Sequence, residues 1–205
     1  SLTSGGTFTN TTGTTSPLVD NITTKYYRAL VKSGVCSALP SNEILVTVNL
    51  ASSAGTITPV TQTICYSGTP AAIALTSSVG TIQWQTSSTV GGTYTNMVGL
   101  TASTLPSASI DNLNTAFYKA VVTNGVCAAA TITATVNVDL ATVPGTATLS
   151  GNATICSSTT APVINLTGNT GLIQWQSSLT SGGTFTNTTG TTSPLVDNIT
   201  TKYYR

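Results

Sequence analysis

Apolar and polar residues alternate over short stretches of this chain, and glycine, asparagine and serine clusters separate the stretches. Between residues 51 and 140 this alternation predicts strands at 72–76 (AIALT), 82–86 (IQWQT), 116–122 (AFYKAVV) and 126–138. In the second of these, Ile82 and Trp84 face inward while Gln83 and Gln85 face outward. Gly91-Gly92 marks a turn, and Tyr94 opens the strand that follows it. Asn124-Gly125 predicts a tight hairpin between 116–122 and 126–138, because both central positions of a type I′ turn need positive φ. No stretch carries a helical period. Short strands at this density, with turn signals between them, predict an all-β fold of β-sandwich type.

Self-comparison shows how the chain is organised. Residues 1–28 (SLTSGGTFTNTTGTTSPLVDNITTKYYR) recur unchanged as residues 178–205, an offset of 177. Identity at every position, surface threonines included, implies recent duplication within a longer array. An older repeat lies inside that period. Thr63-Ile64-Cys65 matches Thr154-Ile155-Cys156, Ile82-Gln83-Trp84-Gln85 matches Ile173-Gln174-Trp175-Gln176, and GGTYTN at 91–96 matches GGTFTN at 182–187, all at an offset of 91. The alignment also brings Tyr118 onto Tyr204 and Tyr27. Residues 1–50 then form the C-terminal half of one domain, 51–140 a complete domain, and 141–205 the N-terminal two-thirds of another. The joins at 50–56 and 140–146 are short, which predicts a semi-rigid chain of domains.

Two details point to the immunoglobulin-like variety of sandwich. Trp84 lies on the third strand, where such domains bury a tryptophan, and Asn114 to Ala120 resembles a tyrosine-corner segment around Tyr118. Trp84, Trp175, Tyr118, Tyr204 and Tyr27 are therefore the expected core. Ala120 occupies the position that carries cysteine in antibody domains, so the usual inter-sheet disulfide is absent. Each repeat instead holds one cysteine ahead of the second strand (Cys65, Cys156) and one near the last strand (Cys36, Cys127). The expected bond joins Cys65 to Cys127 inside one domain, with Cys36 and Cys156 paired to cysteines beyond this segment. The competing arrangement bonds adjacent domains.

Composition narrows the function classes. Threonine fills 45 of 205 positions, and only 5% of residues are charged, against about 25% in ordinary soluble domains. A net charge of +1 gives no electrostatic footprint for nucleic acid. The apolar runs fall far short of the roughly 20 residues that cross a bilayer, so no membrane insertion is expected. There is no histidine, and the acids are Asp20, Glu43, Asp111, Asp139 and Asp197. No pair is spaced for acid–base work, so the chain is not expected to be an enzyme and no cofactor is implied. Asp111-Asn112 and Asp197-Asn198 read as Asx turns rather than calcium ligands. An isopeptide bond from Lys25 or Lys119 would need a buried lysine beside a carboxylate, and Lys119 alternates outward from Tyr118, so none is expected. Asn-X-Thr sequons at Asn10, Asn21, Asn152 and Asn165 follow from composition. Phe117, Val121, Gln83 and Gln85, with Tyr26 in the other repeat type, mark an outward face that could contact a glycan or a neighbouring filament.

The pattern TICxSGT, GxIQWQ, GGTYTN, YYRAxVxxGVC and TVxV resembles the Ig-like repeats of giant surface and gliding-associated adhesin proteins of Bacteroidota. The resemblance covers the whole chain. It implies export by the type IX secretion route to the bacterial cell surface, and repeats that serve as stalks, spacers or adhesive modules. The expected role is a structural and adhesive filament segment whose partners are neighbouring repeats of the same chain or filament. The alternative is a glycan-binding module on a surface stalk.

Overall fold

The structure is a computed structural model that describes residues 1–11, 23–156, 162–195 and 202–205. It is almost entirely β, and among the described residues the one helical element is a 3₁₀ turn at Ser107–Ser109. Strands run β1 (Lys25–Tyr27), β2 (Leu30–Val31), β3 (Leu39–Pro40) and β4 (Ile44–Val46) in the first repeat. The middle repeat holds β5 (Thr56–Thr58), β6 (Thr61–Cys65), β7 (Ile73–Thr76), β8 (Thr81–Ser87), β9 (Thr95–Asn96), β10 (Thr104–Leu105), β11 (Ala116–Thr123) and β12 (Ala130–Asp139). The last repeat holds β13 (Thr146–Ser150), β14 (Val163–Thr167), β15 (Gln176–Ser178), β16 (Thr186–Asn187) and β17 (Tyr203–Tyr204).

Backbone proximity groups the chain into two compact units, each described by itself. The first comprises Ser1–Val60, Ile73–Leu105 and Phe117–Ala134. It contains a three-stranded sheet of order β10-β7-β5 and the run β12-β11-β8-β9 of a five-stranded sheet. Ile57, Ile73, Leu75 and Leu105 supply the buried positions of the smaller sheet, and Trp84, Tyr118, Ala120, Val122 and Ala134 those of the larger. Strand β11 alternates without a break, Ala116, Tyr118, Ala120 and Val122 buried and Phe117, Lys119, Val121 and Thr123 half-exposed. That strict period of two fixes the register against β8, where Ala120 pairs with Trp84 and Lys119 with Gln85.

Trp84 is fully buried and its indole N–H is satisfied by Ala102 O at 2.9 Å. Its main chain is held as well, donating to Leu100 O and accepting from Met97 N. Tyr118 is 1% exposed. In the smaller sheet Thr56 and Thr76 meet across β5 and β7 through their hydroxyls at 2.6 Å. This is how a threonine-rich chain makes use of its outward positions.

The second unit comprises Thr61–Ala72, Pro106–Ala116 and Thr135–Arg205. Here β6 runs parallel to the last five residues of β12, from Thr61 opposite Thr135 to Cys65 opposite Asp139. Strands β13 and β14 pair along five residues, and β15 lies between β16 and β17. Trp175 repeats the arrangement of Trp84: it is 2% exposed, and its indole N–H donates to Thr192 O at 2.8 Å.

Three expectations need correcting. The turn after β11 is not a type I′ turn on Asn124-Gly125. Cys127 N–H closes onto Asn124 O at 3.1 Å, which makes Gly125 and Val126 the central residues, and only Gly125 of these has positive φ. The following strand accordingly starts at Ala130 rather than 126. The disulfide between Cys65 and Cys127 does not form; both thiols are free, as is that of Cys36. Cys65 pairs with the last residue of β12, whereas Cys127 precedes its first residue, so the ten-residue strand separates them. At about 3.3 Å per residue that is roughly 30 Å, far beyond the ~7 Å limit for a bridge. Tyr27 and Tyr204 are half-buried rather than core, since the short strands β1 and β17 that carry them each pair along two or three residues only.

Truncating Trp84 to Ala removes the largest buried side chain and should cost about 3–5 kcal/mol. Urea unfolding followed by far-UV circular dichroism should show this loss. Val126→Ala, at a position 95% exposed, should shift stability by no more than about 0.5 kcal/mol.

Candidate functional site

The outward face expected to make contacts is built on β8, β9 and β11. Register sets Phe117 beside Ser87, Lys119 beside Gln85 and Val121 beside Gln83, all half-buried except Ser87, which is buried. Gln83 is not available to a ligand through its amide N–H, because Nε2 donates to Trp84 O at 2.8 Å and to Met97 O at 2.9 Å. Gln85 Nε2 donates to Asn96 Oδ1 at 2.8 Å. These outward glutamines tie β8 to β9 rather than reaching into solvent. Tyr26 lies on β1, half-buried and paired with Leu45.

The face also contains a feature that strand alternation alone does not reveal. Lys119 Nζ lies 4.1 Å above the centre of the Tyr94 ring. At the equivalent place in the first repeat, the Arg28 guanidinium lies 3.9 Å above Phe8. In the last repeat, Arg205 lies 4.3 Å above Phe185. Each pair joins a cation at the end of the KYYR or AFYK segment to the aromatic of GGTFTN or GGTYTN. A cation over an exposed ring is worth about 0.5–1 kcal/mol. The signal was present in the sequence as a basic residue recurring one position after Tyr27, Tyr118 and Tyr204.

The same repeat-by-repeat identity holds for the turn that carries the aromatic. Ser1, Ser87 and Ser178 each donate their hydroxyl to the carbonyl two residues on, at 2.7, 3.0 and 3.0 Å. The main-chain pairing is shared too: Ser1 exchanges both hydrogen bonds with Tyr26, and Ser178 pairs with Tyr203. Segments 1–28 and 178–205 therefore share the serine turn, the cation–ring pair and the pairing of that serine with the first tyrosine, while Thr186–Asn187 forms a strand and Thr9–Asn10 does not.

One atom breaks the symmetry. In the last repeat Arg205 Nε donates to Gln176 Oε1 at 2.8 Å while its guanidinium covers Phe185. In the middle repeat lysine replaces arginine. A single ammonium placed over Tyr94 leaves Gln85 Oε1 buried without a hydrogen bond.

Chemistry beyond this is sparse. Asp111 Oδ1 accepts from Leu113 N at 2.8 Å and Asn114 N at 3.1 Å, an Asx-type turn ahead of β11. The Leu113 N–H chiefly holds its carboxyl below the ordinary 3.8. Glu43 accepts from Gly5 N and Ser4 Oγ and lies 3.8 Å from Arg28. Among the described residues no group of three His, Cys, Asp or Glu gathers to hold a metal, and no helix is long and apolar enough to cross a membrane. Asp20, Asn21, Asp197 and Asn198 lie outside the described residues.

Residues 1–50, 53–142 and 145–205 each match the family described as Domain of unknown function (DUF8696). The chain belongs to this family. Among curated proteins none matches the chain. The cation–ring pair, the serine turn and the glutamine–asparagine link belong to the DUF8696 repeats in hand rather than to one of them: Gln176 Nε2 reaches Asn187 Oδ1 at 2.8 Å as Gln85 does Asn96.

Lys119→Arg should supply the missing donor to Gln85 Oε1 while keeping the cation over Tyr94. A stabilisation of about 1 kcal/mol is expected in urea unfolding; no gain would show that Gln85 is solvated. Asp111→Asn tests the lowered carboxyl. A depressed folded-state value contributes stability above the unfolded value of about 3.9 and loses it as pH falls through the folded value. The variant should therefore be less stable than wild type at pH 7, with the gap closing below about pH 4.

Proposed function

We propose that this chain is a non-catalytic, structural and adhesive segment of an extracellular filament on a bacterial surface, its repeats folded as immunoglobulin-like sandwiches. The sandwich reading is supported by the strand orders β10-β7-β5 and β12-β11-β8-β9. In immunoglobulin letters these are E-B-A and G-F-C-C′, with β6 as a further strand parallel to G. A tryptophan buried on C and a tyrosine buried on F occupy their usual places.

One observation carries the filament reading: the polar groups of the conspicuous outward face, Gln85 Oε1 excepted, are engaged inside their own repeats. Cations cover the rings, and the glutamines bind backbone and asparagine. A face spent on stapling its own strands is that of a load-carrying unit. At the join between the first two repeats, Asn124 Nδ2 donates to Leu50 O at 3.0 Å and Asn124 N to Ser52 Oγ at 2.9 Å. Such contacts stiffen a short connector. Export by the type IX route is what the resemblance to Bacteroidota surface repeats implies for such a segment.

A glycan-binding role is the second reading. It is favoured by a groove of about 680 Å³ lined by Ser178, Thr180, Thr186, Asn187 and Lys202, rich in hydroxyl and amide groups. Binding of the chain on a glycan array, lost in Asn187→Ala, would support it over the structural role.

Electron microscopy of the parent protein tests the filament directly. Two sandwiches whose strands of about ten residues rise ~3.3 Å each should advance the fibre by about 70–80 Å per 177-residue period. A compact particle would overturn this reading.

A further inference from the structure

We infer that consecutive repeats are joined covalently, the strand cysteine of one repeat (the Cys65 type) forming a disulfide with the turn cysteine of the next (the Cys127 type). The inference rests on the array reading above and adds to it a linkage at every join.

The two joins of this chain can be brought into one frame. Thr24 Oγ1 accepts from Val48 N at 2.9 Å at the end of the first repeat. Thr115 Oγ1 accepts from Val138 N at 3.0 Å at the end of the second. The same anchor thus ends both repeats, and it makes Asn49-Leu50 the counterpart of Asp139-Leu140.

At the second join, Cys65 is the register partner of Asp139, and Tyr66 N–H donates to Asp139 O at 2.8 Å. Cys65 is exposed there, at the end of the repeat from which the chain continues. At the first join, the turn of the following repeat lies against the counterpart of that residue. Cys127 Sγ is 3.2 Å from Leu50 O and 3.7 Å from Asn49 O. Gly125 approaches Asn49 so closely that a Cβ there would overlap the Asn49 amide. The turn is therefore seated, not merely adjacent.

Superposing the joins puts both thiols against one residue. The strand cysteine stands one strand spacing from it, about 4.8 Å between Cα atoms, and the turn cysteine touches its carbonyl. A disulfide needs Cα separations of about 4.4–6.8 Å, and two cysteines that each stand against the same residue are placed to reach it. Within residues 1–205 each join holds only one of the two: Cys127 at the first, Cys65 at the second. This also gives a reason for two cysteines per repeat placed at opposite ends of β12, an arrangement useless for a bond within the repeat. Each bond forms from two thiols, which lose two protons and two electrons to a disulfide oxidant. That oxidant is itself reduced to two thiols.

The test uses this chain extended by one further 177-residue period, folded in a buffer of oxidised and reduced glutathione. Disulfides are then mapped by non-reducing digestion and mass spectrometry. Cys65 should be linked to the second-period copy of Cys36, and Cys156 to the second-period copy of Cys127. Cys65→Ser should release one labelled thiol, at that copy of Cys36, and no other. A Cys65–Cys127 bond, or free thiols throughout, overturns the inference. Electron microscopy of the same sample separates the two claims: an extended particle with free thiols refutes the linkage alone, while a compact particle refutes the filament.

Discussion

The buried indole of the middle and the last repeat is the constraint on which the rest depends. Trp84 and Trp175 have no solvent contact to satisfy the indole N–H, so a carbonyl must be brought to each, from Ala102 and from Thr192. An unpaired buried donor would cost about 1–3 kcal/mol, on top of losing the packing around the ring. Meeting that demand fixes the segment after the GGTxTN turn. It draws Met97 N and Thr188 N onto the tryptophan carbonyls and positions Leu100 and Gly190 to accept from the tryptophan amides. Gln83 and Gln174 then bridge the same carbonyls from the outside. A single large residue thus organises the strand that carries it, the strand beside it and the loop between.

With so little charge, the exterior has to be held by neutral groups. Ordinary domains cover a sheet face with ion pairs; among the described residues this chain shows one, Arg28 with Glu43, at 3.8 Å. Hydroxyl–hydroxyl, amide–amide and cation–ring contacts take that place. None is strong singly, and the hydroxyl and amide contacts are not screened by salt as a surface ion pair is. A neutral exterior also leaves sheet edges without the charges that usually discourage pairing with other chains.

Much of this was legible in the residues. The period of two at Ala116 to Thr123 fixed which side of that strand is buried, and the recurrence of IQWQ marked Trp84 and Trp175 as central. The strands β5 and β6 were not legible, because TIT and TQTIC are short and carry little apolar signal. The Asn124-Gly125 turn departs from the expectation for a physical reason: its asparagine side chain donates to Leu50 O, outside the hairpin, and the turn begins one residue later, so that Gly125 is its first central residue rather than its second. Local turn statistics carry no information about a neighbouring repeat. The cysteine pairing failed in the same way, since spacing along the chain says which cysteines recur and not which end of a strand they occupy.

Comparing the two repeat types shows what the array holds constant and what it lets vary. The segment 1–28 is preserved to the last residue at 178–205, including Arg28 and Arg205, which both cover a ring; Arg205 also satisfies a glutamine. The middle repeat keeps the ring, the glutamine and the positive charge but holds lysine, and leaves Gln85 Oε1 unpaired. Identity over 28 residues therefore records recent copying, whereas the lysine records older divergence that the fold tolerates at a cost of one hydrogen bond. The joins behave differently. The threonine anchor, the glycine at the tip of the turn and the cysteine two residues beyond it survive in both repeat types despite that divergence. Conformity at the joins, alongside that of the ring face, is what the array proposed above would retain if its repeats depend on one another at their ends.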